Sequence, residues 1–199
     1  MRVQSALAGL VLAAAVMAAP LAQAASFTFA GGSGYALPGN FDPFPSVAGL
    51  GVGSIVQADA TLGLTGPGRV TFTFLGSEAG YDNQFDFAGS PIFTNHFGAH
   101  DPVERIAGAG PVDFAFSTIS PSRLVANGAS GTSPYGSIAL FKLSDTSVYA
   151  LFNDGARVDA DYDDMAVRLD VAPVPLPAAA WLILAGLGGL ALVKRRATA

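Results

Sequence analysis

Carboxylates stand at every other position from Asp159 through Asp161 to Asp163, and Asp164 follows at once. Side chains at such spacing can turn several oxygens toward one hard cation. Ca²⁺ takes six to eight oxygen ligands and tolerates irregular loops. Asn153 and Asp154 lie just upstream. A second group, Glu78 and Asp82, lies in the segment 76–83, directly after the most regular apolar alternation in the chain. If the two segments share one end of the fold, Glu78 and Asp82 complete the oxygen set. The expected ligands are therefore Asp159, Asp161, Asp163, Asp164, Glu78 and Asp82, with calcium as the ion. The alternative is a solvated Asp-rich turn before a strand.

The spacing is not that of an EF-hand. Asp164 occupies the position where that loop needs glycine, and the residues after it alternate like a strand. His96 and His100 are four apart, which on a helix would suit zinc. Gly98 and Pro102 argue against a helix there, so loop histidines are the expectation. Gly76-Ser77-Glu78 and Gly128-Ala129-Ser130 do not make the Gly-x-Ser-x-Gly elbow of serine hydrolases. The glycines fall in turns, not between a strand and a helix, so no phosphate loop is expected.

The elements that must position these residues read as strands. Period-two runs cover 26–29, 56–62, 69–75, 112–117, 123–126 and 165–171. Residues 137–143 and 146–152 form a hairpin about a turn at Ser144 and Asp145. Val70, Phe72 and Phe74 share a face; so do Met165, Val167, Leu169 and Val171, and so do Val56, Ala58, Ala60 and Leu62. No segment between 26 and 170 carries a helical period. The expected fold is an all-β, antiparallel β-sandwich, jelly-roll-like, over residues 25–172. Residues 38–53 and 89–110 are expected to be loops. The tandem of segment 76–83 with Asp161-Tyr162-Asp163-Asp164 partly resembles the β domains of a family of unassigned function, DUF4114, which carries an Asp-Tyr-x-Asp segment before its last strand. That likeness implies no activity.

The two ends have a different composition. All fifteen acids lie between Asp42 and Asp170. Only six of the ten bases share that span, which leaves the middle at a net −9. A nucleic-acid partner needs a basic face, so none is expected. The chain has no cysteine, so neither disulfides nor thiolate metal sites hold it together. Arg2, the apolar run 6–19, Pro20 and Ala22-Gln23-Ala24 read as a signal peptide over 1–24, cut after Ala24.

The C-terminal end has three parts in order. Val174-Pro175-Leu176-Pro177 is an extended, Pro-punctuated motif. Residues 178–193 are sixteen uncharged residues, read as a transmembrane helix of roughly 24 Å against a hydrocarbon core of ~30 Å. Trp181 suits the interface, and Lys194-Arg195-Arg196 stop transfer on the cytoplasmic side. Residues 173–199 closely resemble the PEP-CTERM sorting signal in its VPLPA variant, with Leu176 in place of the acid of Pro-Glu-Pro. The resemblance implies a protein of a Gram-negative, biofilm-forming bacterium. It would be held transiently in the inner membrane with its β domain outside the cytoplasm. An exosortase, an integral-membrane transpeptidase-like enzyme, would then cut it at the motif, and it would reach the cell surface or extracellular matrix alongside exopolysaccharide. The expected role is non-enzymatic. The alternative is a secreted polysaccharide-active enzyme or carbohydrate-binding module. The only tryptophan is Trp181, outside the β domain, and Tyr35, Tyr81, Tyr135, Tyr149 and Tyr162 could serve instead to stack sugars.

Overall fold

A computed structural model describes residues 24–42, 44, 47–96, 100–120, 122–129, 136–155 and 160–174. Residues 1–23 of the expected signal peptide, the motif residues Pro175, Leu176 and Pro177, the span 178–193, the basic cluster Lys194, Arg195 and Arg196, and Asp159 lie outside the described residues. Ala24–Pro173 cluster as one compact unit. Among the described residues no helix is long and apolar enough to cross a membrane.

The described residues are all-β, in three antiparallel sheets with strands numbered in chain order. The largest sheet runs β2 (Ser33–Ala36), β3 (Ile55–Ala58), β12 (Ser137–Ser144), β13 (Ser147–Asn153), β14 (Met165–Pro173), β5 (Gly68–Gly76) and β8 (Val103–Ala107). A second runs β11 (Arg123–Ala126), β10 (Phe114–Thr118), β6 (Asn83–Phe87) and β7 (Ser90–Thr94). The third joins β1 (Phe27–Ala30), β4 (Thr61–Leu64) and β9 (Gly110–Pro111).

One face of the large sheet packs on the two smaller ones, which makes the unit sandwich-like. Val70 and Phe72 of β5 and Met165, Val167, Leu169 and Val171 of β14 point into this core. Phe85, Phe93, Phe114 and Phe116 meet them from the smaller sheet. Phe116 stacks on Phe152 across the layers, with ring centroids 5.0 Å apart and planes 6° off parallel. The alternation expected in β5 and β14 is thus the one that builds the core.

The other face of the large sheet is buried too. Leu37, Phe41, Val47 and Leu50, from the Pro/Gly-rich loop, cover Val56, Ala139, Leu151 and Ala166. The loop is closed at its base: the Leu37 amide donates to Ser54 O at 3.0 Å, and the Gly53 amide to Leu37 O at 2.9 Å. Tyr149 holds its middle by donating to Ala48 O at 3.3 Å. This double burial explains why nearly every residue of β13 is buried, with no polar face.

Two expectations need correction. The run 56–62 is not one strand with one face. Val56 and Ala58 belong to the core beneath the loop, whereas Ala60 and Leu62 belong to the core between the sheets. The chain changes sheet at Asp59, whose φ of 60° breaks the strand. The hydrophobic alternation continues through the corner and hides it. Residues 89–110 are not a loop, because β7 and β8 lie there. Among the described residues β8 pairs only with β5, and it exposes Glu104, Arg105 and Ile106, so an edge strand carried no core-facing pattern to read.

Candidate functional site

The acid-rich segment precedes β14 at one end of the large sheet. It is folded inward. Asp161 and Asp163 are 7% and 1% exposed, and Asp154, after β13, is 4% exposed. Buried carboxylates need donors. Asn40 Nδ2 donates to Asp161 Oδ2 at 2.9 Å, and the Asp42 amide to Asp163 Oδ2 at 2.8 Å. Asn83 Nδ2 donates to Asp154 Oδ2 at 2.6 Å. The Asp154 amide donates to Asp164 Oδ2 at 2.8 Å. The acids thereby tie the covering loop, the start of β6 and the end of β13 to one segment.

Tyr162 sits between them with φ 65°, which turns successive side chains away from a plain strand. Its ring is buried and packs edge-on against Tyr35 at 5.5 Å, and its hydroxyl accepts a hydrogen bond from Ser137 Oγ at 3.1 Å. Tyr35 in turn donates to Ala160 O at 2.9 Å.

Glu78 joins this end. Its amide donates to Asp163 O at 3.2 Å, so the loop after β5 and the loop before β14 meet. Ser77 Oγ donates to Asp164 O beside it. The electrostatics follow from crowding. Burial raises the Asp163 carboxyl above the ordinary range; the Glu78 charge adds to this, while hydrogen bonds from Asp42 and Asp161 oppose it. Burial also raises Asp154, against the pull of Asn83, Asp164 and the Arg123 charge. Asp164 is pushed up to about 7, first by burial and then by the charges of Asp154, Asp161 and Asp163, against the Asp154 amide.

No protein-family model, no curated protein and no solved structure matches this chain.

The remaining expected residues fall elsewhere or outside the description. Asp82 Oδ1 pairs with His96 Nε2 at 2.6 Å, on an exposed loop. His100 bonds Thr94 O at 2.8 Å and packs against the rings of Phe74 and Phe93. Among the described residues no group of three His, Asp or Glu side chains stands in a metal-holding arrangement. Of the tyrosines, Tyr149 and Tyr162 are buried and Tyr81 is 44% exposed, while Tyr135 lies outside the described residues.

Asn40 and Asn83 are the partners that sequence reasoning missed. They lie 121 and 71 residues from the acids they serve. Asn83 is fully buried, and its Oδ1 has no hydrogen-bond partner among the described residues. An asparagine opening a strand, two residues before an inward phenylalanine, was the one local signal.

Proposed function

We propose that the chain is an exported, non-enzymatic protein of the bacterial surface or extracellular matrix. It is tethered by its C-terminal sorting signal, cut by an exosortase-type enzyme, and deposited with exopolysaccharide. The observation that carries this reading is the ordered tail: Val174-Pro175-Leu176-Pro177, sixteen uncharged residues, then Lys194-Arg195-Arg196. The fold is consistent with it. β1 opens at Phe27 and β14 closes at Pro173, so the compact unit fits between the two expected cleavage points. The finer architecture we propose is a jelly-roll-like sandwich between a signal-peptide helix and a membrane helix over 178–193.

The test is fractionation of cells that carry Pro175→Ala with Pro177→Ala. The variant should stay in the inner membrane while the wild type reaches the surface or medium. Normal release of the variant would remove the motif as the processing signal.

A second reading, calcium at the acidic end, rests on one observation. The buried, unpartnered Asn83 Oδ1 sits next to Asp154, among carboxyls raised by burial. Amide and carboxylate oxygens are the ligands calcium prefers. A cation would also relieve the repulsion that Asp154, Asp161 and Asp163 exert on Asp164. Asp161, Asp163 and Glu78, with Asp159, are the further oxygens we propose for it.

A further inference from the structure

The four-stranded sheet turns Phe85, Phe93, Phe114, Phe116 and Val125 inward. Strand alternation therefore sends Gln84, Asp86, Ala115, Ser117, Leu124 and Ala126 to its outer face. That face is recessed, not flat. β10 turns the small side chains of Ala115 and Ser117 there, each 9% exposed, and Asp86 beside them is 7% exposed. Small side chains along the middle strand leave a groove of about 550 Å³, within the range of small-molecule sites. Leu124 and Ile119, 64% and 48% exposed, stand on its rim.

The floor is built around one carboxylate. Gln84 Nε2 donates to Asp86 Oδ1 at 2.7 Å, and Ser117 Oγ donates to Asp86 Oδ2 at 3.3 Å. Both partners are neutral. A carboxylate has about four acceptor sites, so oxygens fixed in this way can still accept from a ligand. Regular pairing with β10, Phe85 with Phe116 and Asp86 with Ala115, fixes this residue on the outer face.

The chemistry selects the ligand class. Asp86 and Asp113 both line the groove, and no lysine or arginine is among the described residues that do. Anionic polymers, nucleic acid included, meet repulsion with nothing to offset it. The floor strands β10 and β6 are paired on both sides, so a peptide cannot add to them as a strand. What fits a fixed acceptor flanked by exposed aliphatic surface is a chain with hydroxyl donors and apolar C–H faces. We infer that the outer face of the four-stranded sheet binds an uncharged glycan chain, with Asp86 accepting its hydroxyls and Leu124 and Ile119 packing on its rings. This deepens the proposed matrix role and draws on it only for the source of the glycan.

The test uses the full-length protein in detergent with neutral hexasaccharides: β-1,4-glucan, β-1,3-glucan, α-1,6-glucan, β-1,4-mannan and chitohexaose. Hexagalacturonate serves as the anionic control. At least one neutral hexasaccharide should bind by calorimetry, and hexagalacturonate should not. Asp86→Asn should weaken binding about tenfold, as loss of a charged hydrogen bond does. Leu124→Asp should weaken it several-fold, and Ile106→Asp, on exposed β8, should leave it unchanged. If Asp86→Asn fails to fold, Leu124→Asp at its exposed position decides alone. Three results would overturn the inference: no binding of any neutral probe at millimolar concentration, equal binding of hexagalacturonate, or wild-type affinity in folded Asp86→Asn or Leu124→Asp. Failure of export would appear in cell fractionation and leave this binding untouched, so the two readings fail separately.

Discussion

The amide of Asp154 donates to Oδ2 of Asp164 at 2.8 Å, ten residues along the chain, and closes the loop between β13 and β14. The same Asp164 carboxyl is pushed up to about 7, by burial first and then by three neighbouring acids. Its hydrogen bond and its charge therefore pull in opposite directions, and pH decides between them.

In the unfolded chain Asp164 returns to about 3.9. Between that value and about 7 the folded state holds a proton that the unfolded state has released. The stabilisation is complete below the unfolded value and is lost as pH rises through the folded one. Asp154 and Asp163 are also raised, so they act in the same direction. We expect urea midpoints to fall from pH 5 to pH 8. Asp164→Asn keeps an acceptor for the Asp154 amide and should flatten that slope by about 1–2 kcal/mol, allowing for solvent screening of a half-buried group. A wild type that is more stable at pH 8, or a variant with an unchanged slope, would contradict this.

Calcium and the proton compete for the same oxygens. Above pH 7 the Asp164 carboxyl is ionised and repels its acidic neighbours, which is when a cation gains most. Millimolar calcium should raise the melting temperature by about 2–4 °C at pH 8 and leave it unchanged at pH 5. Equal melting in calcium and in chelator at pH 8 would leave the carboxylates to their protein donors alone.

Some of this was legible in the sequence and some was not, for physical reasons. Met165, Val167, Leu169 and Val171 face one core, and their alternation says so. Ala60 and Leu62 continue the alternation of Val56 and Ala58 yet face a different core, because a corner at Asp59 changes sheet without changing pattern. β6 opens Asn83-Gln84 and carries Asp86, so its polar residues masked a strand that has Phe85 in the core. The acidic run was visible because acids seldom cluster so densely. Its donors were not, since Asn40 lies in a distant loop and Asn83 opens a distant strand, 121 and 71 residues from the acids they serve.

The corner itself makes a sharp stability prediction. Gly32 has φ 77°, and a Cβ there would stand 2.7 Å from Ala60 Cβ and 2.8 Å from Ala58 O. Gly31, next to it, also has positive φ at 67°, but a Cβ there meets nothing within 4 Å. Gly31→Ala should cost only the backbone strain, about 1 kcal/mol. Gly32→Ala adds a clash with a backbone carbonyl and should cost about 2–4 kcal/mol. Equal chemical-denaturation midpoints for the two variants would mean that the chain does not pass close to itself at this corner.

Asn127, just after β11, ties β4 to the segment before β10 with one side-chain amide. Its Oδ1 accepts from the Leu62 amide at 2.8 Å, and its Nδ2 donates to Leu62 O and Val112 O at 2.8 Å each. Replacement by alanine removes all three bonds and should cost about 1–3 kcal/mol, since the site is only partly buried. Asn127→Asp keeps the acceptor but turns a charge toward two carbonyl oxygens. At pH 8 it should therefore be less stable than Asn127→Ala. Protonation returns a donor to that carboxyl, so the deficit of Asn127→Asp relative to Asn127→Ala should shrink as pH falls toward 4. Urea titrations of both variants at the two pH values read this order directly. An Asp variant at least as stable as the Ala variant at pH 8 would mean that the carbonyls of Leu62 and Val112 do not depend on the Asn127 amide.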